Sequence, residues 1–97
     1  MFRHVVVFTW TTESTAEQRD GAVTALRAWV GEAAEFGTVS VGVDAGLAEG
    51  NGDVAVVVDV PDTETYLAYA ADERHQNLLR EHIRPILAAR AAVQYEL

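Results

Sequence analysis

The sequence contains no cysteine, and its seven basic residues are all arginines, so lysine is absent too. Without cysteine the chain can form neither a disulfide framework nor a thiolate metal site. Fifteen acidic residues outnumber the arginines and give a net charge of −8. A charge of this sign repels nucleic acid and anionic membranes, so we expect neither as a partner.

Long hydrophobic runs are also missing. No apolar stretch approaches the roughly 18 residues that a membrane span needs. The start of the chain, Met1-Phe2-Arg3-His4, has no basic region followed by a long apolar core, so it does not resemble a signal peptide. We therefore expect a cytoplasmic protein, with residues 1–97 forming a single domain.

The apolar residues, 49% of the chain, follow two periodicities that predict its secondary structure. Alternation and β-branched runs predict four strands, at residues 2–10, 38–45, 53–60 and 90–97. Helical spacing predicts a helix at 15–34, with an apolar stripe formed by Val23, Leu26, Val30 and Ala33. Ser14-x-x-Glu17 and Thr15-x-x-Gln18 both fit a capping box at its start. Asn51-Gly52 predicts a hairpin turn between the second and third strands.

A second helical region begins at Asp62, the predicted N-cap, and is interrupted near residues 72–73 before Pro85 bends or ends it. The order βαββαβ predicts an α+β, ferredoxin-like fold, with a four-stranded antiparallel sheet and both helical regions on one face. Residues 5–7 and 54–58 are apolar on both strand faces. Because two helices cover only one face, we expect a homodimer that closes a dimeric α+β barrel through the other.

Three histidines are the side chains that titrate near neutral pH. His4 shares a strand face with Phe8 and other apolar residues, where a hydrogen-bonded core histidine is the simpler interpretation. His75 follows the helix interruption, where loops often border a cleft. His82 lies seven residues further on, and because this is not the i, i+4 spacing of zinc helices, we expect no metal site.

Aromatic residues supply the other candidates for a ligand pocket. Tyr66 and Tyr69 are neighbours on one helix face, and Tyr69 is the better placed to offer its phenol to a cavity between helix and sheet. The pocket-lining candidates are Phe8, Trp10, Trp29, Tyr66 and Leu79. For Phe8, Trp10 and Trp29, filling the core is the simpler interpretation. No nucleophile elbow, phosphate-binding glycine loop or zinc-helix motif is present, and we expect no cofactor.

These residues together resemble the Dabb family, the stress-responsive α/β-barrel domains. The resemblance is carried by the opening run at residues 3–8, the valine-rich third strand, the Tyr69-x5-His75 spacing and the closing run at residues 93–96. It spans essentially the whole chain and implies a dimeric α+β barrel. The family includes stress-associated plant proteins and a polyketide cyclase that forms olivetolic acid.

The resemblance to the cyclase implies roles for three residues. His75 would act as general base on an activated carbon, Tyr69 would polarise a carbonyl oxygen, and His4 would orient the ligand. The sequence departs from the cyclase in having no third-strand histidine, and residues 72–74 replace the family's His-Pro-x before His75. Two alternatives stay open, a non-catalytic stress-associated structural dimer and a cofactor-independent monooxygenase.

Overall fold

A computed structural model describes all 97 residues of the chain. The strands are β1 (Phe2–Trp10), β2 (Thr38–Val43), β3 (Val54–Val60) and β4 (Leu87–Glu96). The helices are α1 (Ala16–Glu32), α2 (Thr63–Ala71) and α3 (Glu73–Leu78). A 3₁₀ turn at Ala33–Glu35 follows α1, while a π-helical turn at Leu79–Ile83 and a 3₁₀ turn at Arg84–Ile86 follow α3. None of the helices has the length and apolar character needed to cross a membrane.

The four strands form one antiparallel sheet in the order β2-β3-β1-β4. This arrangement is the predicted ferredoxin-like α+β fold. β1 and β3 form the centre of the sheet, and both alternate strictly between buried and half-buried residues. The buried set packs with side chains from all three helices in one core, so the helices cover a single face of the sheet.

Helix α1 begins as the second of the two capping patterns predicts. The Thr15 hydroxyl accepts a hydrogen bond from the Gln18 amide, and the Gln18 side chain accepts one from the Thr15 N–H. The apolar stripe was predicted one position away from the observed one. Its buried members are Ala22, Leu26, Trp29 and Ala33, while Val23 and Val30 pack at the edge of the core. The predicted and the observed stripes share Leu26, and each fits helical spacing. The helix is rotated so that the large Trp29 ring is buried, which favours the observed stripe.

β2 and β3 pair antiparallel as the predicted hairpin, and the loop between them extends well beyond Asn51-Gly52. It spans ten residues, 44–53, and its positive-φ positions are Gly46 and Gly50. Gly52 instead allows a close approach, because a Cβ there would lie 2.2 Å from a methyl carbon of Val7. The side chain of Asp44 organises the loop by accepting hydrogen bonds from the Gly46 and Asn51 nitrogens.

The second helical region matches its prediction closely. Asp62 accepts a hydrogen bond from the Thr65 N–H as the N-cap of α2, and Asp72 separates α2 from α3 while capping α3. Strand β4 begins at Leu87, three residues before the predicted start. The added residues include two alanines, which have low strand propensity, and pairing with the end of β1 holds them in the sheet.

The second face of the sheet has no helix over it. Its central apolar positions are half-buried or exposed, namely Val5, Val7, Ala55, Val57, Ala91 and Val93. One charged pair lies on this face, where the Arg3 guanidinium donates two hydrogen bonds of 2.7 and 2.8 Å to the Asp59 carboxylate. Those bonds hold the pKa of Asp59 below its ordinary value and satisfy both charges within the apolar surface.

Candidate functional site

A cavity lies between the helix layer and the sheet. Its volume is about 60 Å³. Nine of its twelve lining residues are hydrophobic. The lining residues are His4, Val6, Phe8, Leu26, Trp29, Val56, Tyr66, Tyr69, His75, Leu78, Leu79 and Arg90. This volume is far below the roughly 300–1,000 Å³ of pockets for drug-sized ligands, so the largest ligand group that fits is a single small ring that extends out of the cavity.

His75 presents a basic nitrogen in this cavity. Its Nδ1 lies 3.1 Å from the carbonyl oxygen of Ala70, and because a carbonyl only accepts, Nδ1 carries the proton. The Nε2 atom therefore holds the lone pair, and it has no hydrogen-bond partner in the protein. Burial lowers the pKa of the imidazole below 6.5 despite the opposing bond to Ala70. His75 is thus a neutral base at pH 7.

Tyr69 lies next to His75, with its ring centroid 4.7 Å from the imidazole centroid. The Trp29 Nε1–H donates a 2.9 Å hydrogen bond to the Tyr69 hydroxyl oxygen. Because that oxygen accepts from Trp29, the phenol hydrogen remains available to a ligand. Burial raises the pKa of Tyr69 to about 12, so the group stays protonated and acts as a hydrogen-bond donor.

His4 has the opposite tautomer. The Gln94 side-chain nitrogen lies 3.0 Å from His4 Nδ1 and also donates to the Tyr66 hydroxyl at 3.0 Å. With the Gln94 amide in this orientation, Nδ1 of His4 is an acceptor and Nε2 carries the proton. Burial lowers the pKa of His4 below 6.5, which keeps the ring neutral. His4 therefore supplies an N–H where His75 supplies a lone pair.

One charged residue, Arg90, also lines the cavity. It lies on β4 opposite Phe8 of β1, so its side chain leaves the sheet on the helix-covered face. Arg90 is exposed, which places it at the mouth. Its positive charge contributes to lowering the pKa of His4 and His75, behind burial as the main cause.

The structure brings together most of the site residues that the sequence suggests. His4, Tyr69 and His75 border one cavity, as do four of the five aromatic or apolar candidates, Phe8, Trp29, Tyr66 and Leu79. Trp10 does not border it, so its predicted place in the pocket is wrong. Its ring stacks on Phe8 at 5.9 Å, and its backbone N–H donates to Asp53 beyond a β-bulge at the end of β1.

His82 lies apart from the cavity that His75 borders, because it is exposed on the far side of the π-helical turn. Sequence reasoning missed Arg90 and Gln94. The signal that could have found them is their spacing of four residues, because residues four apart on a strand share a face. In the sheet, Arg90 lies opposite Phe8 and Gln94 lies opposite His4.

The arrangement combines a neutral base with hydrogen-bond donors in an apolar cavity. His75 can accept a proton at Nε2, while the Tyr69 O–H and the His4 N–H can stabilise developing negative charge. Groups of this kind with pKa values shifted by burial are typical of sites that move protons.

A family profile described as "Stress responsive A/B Barrel Domain" matches residues 2–97. The chain is also similar to a dimeric ferredoxin-like protein of unknown function from Thermobifida fusca, at 36% identity and a TM-score of 0.88, with 99% of this chain and 90% of that chain covered. The chain has no significant match among curated proteins.

Two further solved structures share the fold at lower identity. A Dabb family protein from Mesorhizobium loti is 14% identical, with a TM-score of 0.81 and coverage of 99% of this chain and 95% of that one. The hydroxynitrile lyase from Passiflora edulis is 15% identical, with a TM-score of 0.82 and coverage of 99% and 92%.

Proposed function

The chain belongs to the Dabb family of stress-responsive barrel domains, and we propose that it binds a small aromatic or apolar carbonyl compound in the cavity between helices and sheet. In this proposal His75 removes a proton from the carbon beside the carbonyl. The observation that carries the proposal is the tautomer of His75, whose Nδ1 bonds to Ala70 and leaves Nε2 basic, in an imidazole ring whose centroid lies 4.7 Å from that of Tyr69.

The proposed step needs no cofactor. The lone pair of His75 Nε2 takes the proton, and the electron pair of the broken C–H bond becomes the C=C bond of an enolate. The carbonyl π electrons move onto the oxygen, which receives a hydrogen bond from the Tyr69 O–H. His4 orients the ligand through its Nε2–H. Positioned proton transfer of this kind typically contributes about 10²–10⁴-fold in rate.

The proposal is limited to proton transfer, because the chain lacks part of the cyclase's residue set. The inward-facing residues of β3 are all valines, Val54, Val56, Val58 and Val60. A third-strand histidine is therefore absent from the cavity, where Val56 forms the wall. The reaction that follows deprotonation depends on the ligand that is bound.

We further propose that the protein works as a homodimer joined through the uncovered sheet face. Val57 on β3 and Val93 on β4 flank Val5 of β1 in register, which makes a continuous apolar row across the sheet. Such a surface is best covered by its own copy about a two-fold axis. The cavity lies on the other face, so its opening stays free in the dimer.

Binding is tested by adding phenylacetone and following the side-chain NMR signals of Trp29, Tyr69 and His75. We expect saturable shifts of all three signals in the wild type, and saturable shifts of the Trp29 and Tyr69 signals in His75→Gln, because that variant loses the base but keeps the apolar walls. His82→Gln is the matched control outside the cavity. If phenylacetone and related aromatic ketones move none of these signals, the binding proposal is wrong and a non-catalytic interaction dimer becomes the better account.

A further inference from the structure

Arg90 is an unpaired cation at the mouth of an apolar cavity in an acidic protein. The arginines with ion pairs are Arg3, bound to Asp59, and Arg74, bound to Glu35 and Asp72. Arg90 has no carboxylate within ion-pair distance and no hydrogen bond to any protein group, although the chain carries fifteen acidic residues. Its guanidinium donors are therefore free for a ligand.

Arg90 lies on the edge strand β4, whose register is set by its pairing with β1. Its strand pairs with β1 at Phe8, a buried residue that also lines the cavity. Gln94 lies four residues after Arg90 on the same face of β4, and its side chain is hydrogen-bonded to His4 and Tyr66. Arg90 and the His4–Gln94–Tyr66 group are thus fixed by the same strand, on the same side of the sheet.

We propose that Arg90 binds the carboxylate of the ligand, which makes the preferred ligand class a small aromatic or apolar carboxylic acid rather than a neutral compound. This inference rests on the proposed function, because it assumes that the apolar part of the ligand occupies the cavity. Arginine offers a planar fork of N–H donors that matches the two oxygens of a carboxylate. The carboxylate stays at the exposed mouth, where its remaining hydration is kept, while the ring enters among the apolar walls.

In this placement different residues contact the two ends of one ligand. Arg90 holds the charged end at the mouth, and His75 and Tyr69 meet the uncharged end further inside. A guanidinium at the mouth offsets the general repulsion that a protein of net charge −8 exerts on an anion. A neutral ligand of the same shape gains nothing from this contact.

The test compares benzoate with benzamide, which have nearly the same shape and differ in charge. Dissociation constants are measured by NMR titration at low ionic strength for the wild type, Arg90→Met and Arg90→Lys. We expect Arg90→Met, which keeps the apolar stem, to weaken benzoate binding by about tenfold or more, the effect of losing a charge-assisted hydrogen bond. Benzamide binding should stay within about twofold, and Arg90→Lys should be intermediate for benzoate.

Arg84→Gln is the charge-matched control, since Arg84 influences His75 electrostatically but does not line the cavity. It should leave the benzoate affinity within about twofold of wild type. If Arg90→Met leaves benzoate binding unchanged, or weakens benzamide to the same degree, the carboxylate assignment is wrong although the cavity binds ligands. If neither probe shifts the cavity signals in the wild type, and phenylacetone does not either, the proposed function fails and this inference fails with it.

Discussion

The indole Nε1–H of Trp29 donates a 2.9 Å hydrogen bond to the phenol oxygen of Tyr69, which joins α1 to α2 inside the protein. Their rings lie 5.6 Å apart and both residues are buried. The bond satisfies the only polar atom of the indole and at the same time orients the phenol. Packing between the helices and the chemistry of the cavity therefore depend on the same contact.

Removing the Tyr69 hydroxyl should destabilise the protein. Tyr69→Phe leaves the buried Trp29 N–H without an acceptor, a defect that costs about 1–3 kcal/mol. We expect that loss in the free energy of unfolding, measured with urea at one fixed protein concentration. Tyr66→Phe is the matched control, because Tyr66 is only half-buried and accepts from the side-chain amide of Gln94, an exposed residue. Equal losses for the two variants would contradict the role given to the Trp29–Tyr69 bond.

The two cavity histidines should make stability depend on pH below neutrality. Burial lowers the pKa of His4 and of His75 below 6.5 in the folded protein, so the unfolded chain binds protons first as the pH falls. The stabilisation is complete above pH 6.5 and is lost progressively below it. We expect the free energy of unfolding to decrease from pH 7 to pH 5, and less steeply in His75→Gln.

Carboxylates do not account for a decrease in the free energy of unfolding between pH 7 and pH 5. The aspartates whose pKa values are lowered, chiefly by hydrogen bonds to their side chains, are Asp59, Asp62 and Asp72. Their stabilisation is present above the ordinary value of 3.8 and is lost only at lower pH. His82→Gln, which alters an exposed histidine, is the control, and an identical slope in His75→Gln and wild type would contradict the assignment.

A charge on the uncovered sheet face should dissociate the dimer. Val93 on β4 is 56% exposed in the single chain and Leu67 on α2 is 64% exposed, so both tolerate a polar side chain in a monomer. Val93→Glu places a carboxylate from each copy within the proposed apolar interface and should yield monomers in sedimentation velocity at micromolar concentration. Leu67→Glu, on the opposite layer, should remain dimeric. A wild-type protein that sediments as a monomer would overturn the proposed interface.

Gly37 should be intolerant of a side chain although its backbone is not left-handed. A Cβ at this position would lie 2.1 Å from the carbonyl oxygen of Asp59, because the chain entering β2 passes against β3. Gly37→Ala should therefore lower the free energy of unfolding by about 1–3 kcal/mol, the usual cost of overpacking. Gly21→Ala, within α1 where nothing lies within 4 Å of the new Cβ, should instead stabilise the protein by about 0.5–1 kcal/mol. Thermal and urea unfolding of the two variants check both signs.

Local patterns in the sequence predicted the architecture because each element carries its own signal. Alternation identified the buried face of β1, and the capping residues Thr15 and Asp62 identified the starts of α1 and α2. The hairpin between β2 and β3 was predicted from its glycine-rich loop, but the close packing of Gly52 on Val7 was not, since it depends on a neighbouring strand. The Asn51-Gly52 pair in the sequence carries no information about β1, the strand on which Val7 lies.

The candidate site was only partly predictable for the same reason. Tyr69 and His75 are six residues apart, so their proximity follows from local geometry and the helix interruption. Gln94 and His4 are ninety residues apart, and only the pairing of β4 with β1 brings them into contact. Arg90 lies in an alanine-rich strand whose register is likewise set by β1. Its spacing from Gln94 predicts that the two residues share a strand face, but which face borders the cavity depends on that register.

Hydrogen–deuterium exchange at the benzylic carbon of phenylacetone in D₂O, followed by proton NMR near neutral pH, measures the proposed proton transfer to His75 itself. The account predicts exchange accelerated by the wild-type protein in a saturable way. His75→Gln should reduce that acceleration by about 10²-fold or more, the range of general-base catalysis, while still binding the ketone. Acceleration that survives intact in His75→Gln, or no acceleration despite saturable binding by the wild type, would contradict the role of His75 as the base.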